Sequence, residues 1–127
     1  MATPITMTTM DKLNSLEEIT WTTATADTDA LAEEFTFTPT GKRFILILDT
    51  SAGASAGNAL TLAFKAGTLW AGKAVSVTPA KKKIYAIEVD TARVAGAAGL
   101  VTVTVTPGTG DKLLSDHAAQ LAVIELI

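Results

Sequence analysis

Residues 66 to 74 read AGTLWAGKA, and they contain the one spacing in the chain that matches a nucleotide-binding signature. Gly67, Gly72 and Lys73 stand as in a phosphate-binding loop, behind the strand-like run ALTLAFK. Such a loop needs a Ser or Thr after the lysine, to ligate magnesium. It also needs a helix starting there, whose first amides face the phosphate. Position 74 is Ala, so the hydroxyl is missing. The next residues, VSVTP, form a strand pattern closed by Pro79. Both requirements fail. The glycines read as bends of a hairpin loop.

Other chemistry is as sparse. His117 is the only histidine, and it lies beside Asp116 in a polar stretch with no nucleophile-elbow motif. It reads as a solvated loop residue rather than a triad base. With one histidine and no cysteine, a zinc site of His and Cys ligands is excluded. Asp27 and Asp29 lack the further acidic positions of a calcium loop and read as turn caps. Glu33 and Glu34 are adjacent in a strand pattern, so they point to opposite faces and cannot act as an acid/base pair. The reading is therefore non-enzymatic, with no cofactor and no metal.

Candidate contact residues stand out more than catalytic ones. Lys81, Lys82 and Lys83 form the one basic run. They fit an acidic partner surface, or a solvated turn that keeps a sheet edge from mispairing. Trp70, flanked by Leu69, falls in a connection. It either tucks over one end of the fold or anchors an interface. Met7 and Met10 are adaptable apolar groups suited to packing on a neighbouring subunit.

The elements that must position these residues are strands. EITWTTA, EEFTFTP, ALTLAFK, AVSVTP, KKKIYAIEVD and LVTVTVTP alternate with period two. KRFILILDT is nearly all apolar and reads as a central strand buried on both faces. LAVIELI closes the chain. SAGASAGN, TARVAGAAG and GTGDKLLSDHAAQ read as connections, the last with room for one helical turn. Eight or nine short strands at roughly ten-residue spacing predict an all-β fold, an antiparallel sandwich of jelly-roll type. Residues 1–16 lack periodicity and read as an extended arm ahead of one domain over 17–127.

Composition agrees. The 127 residues suffice for one hydrophobic core. Thr and Ala each occur about twenty times, which suits strands with small-residue connections. The net charge of -3 argues against nucleic acid as a partner. No apolar run approaches the roughly 18–20 residues of a membrane span, and the first residues do not have the pattern of a secretory leader. Only 18% of residues are charged and 48% are hydrophobic, a balance expected when much of the surface meets a partner.

From Gly41 onward the segments GKRFILILDTSAG, LTLAFKAG, AGKAVSVTPAKKKIYAIE, TARV and LVTVTVTP resemble those of small tailed-bacteriophage virion proteins of the head decoration (cement) type. Val94 departs from the pattern, where an aromatic is expected, and the first 40 residues have no counterpart. The resemblance implies a β-sandwich that reinforces a capsid. Its partner would be the major capsid protein, its place the virion surface after synthesis in the host cytoplasm, and its form a homo-oligomer, with a trimer favoured. A tail or head-tail joining protein is the alternative. A carbohydrate-binding or adhesin-like module is the rival class.

Overall fold

The computed structural model describes residues 2–26, 31–53, 60–68, 72–80, 82–108 and 114–126. The chain is an all-β sandwich. In chain order the strands are β1 (Ala2–Pro4), β2 (Thr8–Met10), β3 (Thr22–Thr23), β4 (Glu33–Phe37), β5 (Arg43–Asp49), β6 (Thr61–Phe64), β7 (Val75–Val77), β8 (Ile84–Asp90), β9 (Val101–Thr106) and β10 (Gln120–Leu126). One sheet has the order β1-β4-β9-β6-β7. The other runs β2-β10-β5-β8, with β3 beside β2 on the same side of β10.

Alternation decides which side chains fill the space between the sheets. In β9, Val101, Val103 and Val105 are fully buried while the intervening threonines are half-buried. Phe35 and Phe37 of β4, Leu62 and Phe64 of β6, and Phe44, Leu46 and Leu48 of β5 are buried in the same way. The sheets are joined by aromatic contacts. Phe44 meets Phe37 edge-on at 5.0 Å between ring centres and Phe64 at 5.9 Å. Such pairs add about 0.5–1.5 kcal/mol each beyond the area they bury.

The central strand β5 is buried on its core face only. Ile45 and Ile47, on its other face, are half-buried, because that face of the sheet is open to water. The predicted strand over EITWTTA shrinks to Thr22–Thr23, and Ile19 and Trp21 are exposed. The stretch read as an arm is extended but docked on its own body. β1 adds in parallel to β4 and β2 in parallel to β10, so both sheets are mixed rather than purely antiparallel. Between these strands Ile5 enters the core, and its amide donates to the Thr36 carbonyl at 2.8 Å. One edge of the sandwich is thereby laced shut by a single crossing of the chain. TARV forms a one-turn helix, α1 (Thr91–Val94), where the Asp90 side chain accepts from the Ala92 amide.

Candidate functional site

The glycine-lysine stretch has a different job from phosphate binding. The Gly67 and Lys73 amides both donate to the Arg93 carbonyl, at 2.8 and 2.9 Å, and the Thr68 amide donates to the Ala95 carbonyl. These donors are taken up by the α1 turn. A Cβ on Gly67 would lie 2.6 Å from the Ala95 carbonyl oxygen, so the glycine is there for close backbone approach. Asp27, Asp29, Leu69, Trp70 and Lys81 lie outside the described residues.

His117 corrects the expectation of a solvated residue: it is buried, on a short turn over Ser115–His117. The turn closes down on the neighbouring loop, where a Cβ on Gly53 would approach the His117 carbonyl oxygen to 2.4 Å. Glu33 and Glu34 serve separate contacts, as their opposite faces require. Glu33 accepts from the Thr25 amide and hydroxyl, and Glu34 pairs with Lys65 at 3.1 Å.

Sequence reasoning passed over Glu125. It is buried at 2% exposure on the core face of β10, in line with Leu121 and Val123. Its Oε1 accepts from the Thr40 amide, the Thr40 hydroxyl and the Gly41 amide. It fastens the β4–β5 connection to the end of β10. The signal was present, since the alternation of LAVIELI puts this carboxylate on the inward side.

The candidate contact residues fall at different places. Met7, half-buried on the crossing from β1 to β2, packs against the chain's own core. Met10 pairs with Leu126 at the end of the second sheet. Lys82 and Lys83 are exposed at the start of β8. The first of them has a φ of 57°, which turns the chain into the strand.

Two features there were not anticipated. Between β2 and β3 the chain makes a tongue in which Leu13 is 95% and Leu16 100% exposed. Its base is pinned by Thr8, whose hydroxyl accepts from the Thr20 amide at 3.1 Å. At the far edge, between β7 and β8, the sheets part over an apolar cleft of about 280 Å³. Leu62 and Val77 line one wall and Leu48, Tyr85 and Ile87 the other. Tyr85 stands opposite Leu48 and so shares its inward face, yet it remains 41% exposed because nothing among the described residues covers that edge.

Among the described residues no helix is long and apolar enough to cross a membrane. Comparison with models of known families, with curated proteins and with solved structures returned no match.

Proposed function

We propose that this chain is a non-enzymatic structural protein of a bacteriophage virion, which binds the outside of the capsid and stabilises it as an oligomer. The reading rests on the strand-and-turn resemblance from Gly41 onward. The observation that best supports it is the exposure of large apolar side chains at both edges of the sandwich: Leu13, Leu16, Trp21 and Leu126 near one, Ile84 and Tyr85 at the other. Exposed apolar groups gathered in this way fit a protein that works by contact with other proteins. The partner in this reading is the major capsid protein.

The test is binding to purified capsids stripped of their decoration, read by co-sedimentation and particle imaging. Many copies spread over the shell are expected. A ring at one vertex would replace the reading with that of a tail or head-tail joining protein. Capsids that pellet without the chain would overturn it.

A further inference from the structure

We propose that the tongue between β2 and β3 of one copy seats in the open cleft between β7 and β8 of a second copy. The contact is head to tail. Three observations point to this occupant.

The tongue and the cleft match in polarity. Leu13 and Leu16 are almost wholly in water, and the cleft walls are mostly apolar, with Thr78 and Tyr85 as the side chains that carry a hydroxyl. At about 280 Å³ the cleft has room for one or two side chains.

They also match in charge. The tongue carries the exposed carboxylates of Asp11, Glu17 and Glu18 against the single cation of Lys12. Exposed Lys82 and Lys83 stand in the chain just ahead of Ile84 and Tyr85, and Tyr85 lines the cleft. Of the nearby carboxylates, Asp49, opposite Ile84, accepts from the Ser51 amide and hydroxyl, and Glu88, farther along β8, is held by Arg43 at 2.7 Å. Opposite charges at an interface fix its register and speed its formation more than they tighten it.

Finally, the two features sit on opposite edges of one sheet. β2 and β3 flank β10 on one side, and β8 borders β5 on the other. A chain cannot reach its own cleft with its own tongue across that sheet, whereas a second copy can. A contact between two different patches repeats around a ring when the rotation closes, and runs on as a chain when it does not.

The experiment uses the full chain in solution, with mass measured by sedimentation velocity across a dilution series. Assembly above the monomer is expected by about 100 μM, a concentration that detects even a weak contact. Leu13→Ser with Leu16→Ser should raise the dissociation constant about tenfold or more, as truncating interface anchors does. Glu17→Lys with Glu18→Lys should weaken assembly, and so should Lys82→Glu with Lys83→Glu. Joining the two pairs in one chain should restore it. All these positions are exposed, so the melting temperature of the dilute variants should stay at the native value. A native chain that stays monomeric overturns the proposal, as does assembly indifferent to the leucine variant or a charge exchange that fails to restore it. The outcome is independent of capsid binding: a chain that assembles this way yet ignores capsids sinks only the particle reading.

Discussion

Glu125 holds three hydrogen-bond donors of the β4–β5 connection with one oxygen. Its carboxylate answers two backbone amides and a hydroxyl at the β4–β5 connection, away from water. Removing it leaves those donors without an acceptor, and hydrogen bonds to a charged group are about twice as strong as neutral ones. Glu125→Ala should therefore cost about 2–4 kcal/mol in urea unfolding, and Glu125→Gln, which keeps an accepting oxygen, about half as much. Equal losses would mean that the charge carries the whole interaction, and a Gln variant as stable as the native chain that it carries none. Gly67 makes a second case. An added Cβ would press on backbone at Ala95 and Arg93, which cannot swing aside. Gly67→Ala should destabilise by about 1–3 kcal/mol, whereas Lys73→Ala, which keeps the amide bonded to Arg93, should lie within about 0.5 kcal/mol of the native chain. Calorimetric melting separates the two.

At the scale of elements, the N-terminal crossing is the feature to test. β1 and β2 are three residues each, too short to stand alone, and each adds to a different sheet. What holds them is Ile5, 6% exposed between the layers. Ile5→Ala should cost about 2–4 kcal/mol by urea unfolding, the range for a large aliphatic truncated in a core. A loss below about 1 kcal/mol would mean the crossing is only laid on the surface. This element was the least legible in the sequence. MATPITMTTM has no sustained alternation, and a strand of three residues cannot show one. Parallel pairing with β10 is a contact between the two ends of the chain, which no local pattern reports. By contrast, LVTVTVTP and EEFTFTP announced β9 and β4 because every second residue had to be apolar. Trp21 misled in the other direction. Its alternation with Ile19 copied a strand, yet no neighbour offers that segment a ladder until Thr22 meets Leu121. The tongue was hidden for a related reason: Leu13 and Leu16 look like core residues, and only the tertiary structure shows that no core reaches them. The burial of His117 likewise depends on a loop distant in sequence, packed against it at Gly53.

At the scale of the whole molecule, topology sets how the chain folds. β5 pairs with both β10 and β8, and β9 pairs with both β4 and β6, so each sheet has a central strand that must gather partners from far along the chain. Closing such loops costs entropy before the contacts repay it, and all-β domains of this kind fold in milliseconds to seconds. The aromatic cluster of Phe37, Phe44 and Phe64 spans both sheets and joins β5 to β4 and β6, the two neighbours of β9. β1 and β2 lie at the outer edges and need a finished β4 and β10 to receive them. The N-terminal crossing should then dock after the main barrier. In stopped-flow refolding, Ile5→Ala should leave the folding rate within about twofold of the native chain and speed unfolding by most of its equilibrium cost. Phe44→Leu, at the centre of the cluster, should slow folding instead. If Ile5→Ala slows folding as strongly as Phe44→Leu, the crossing belongs to the nucleus and the sandwich closes from its N-terminal edge.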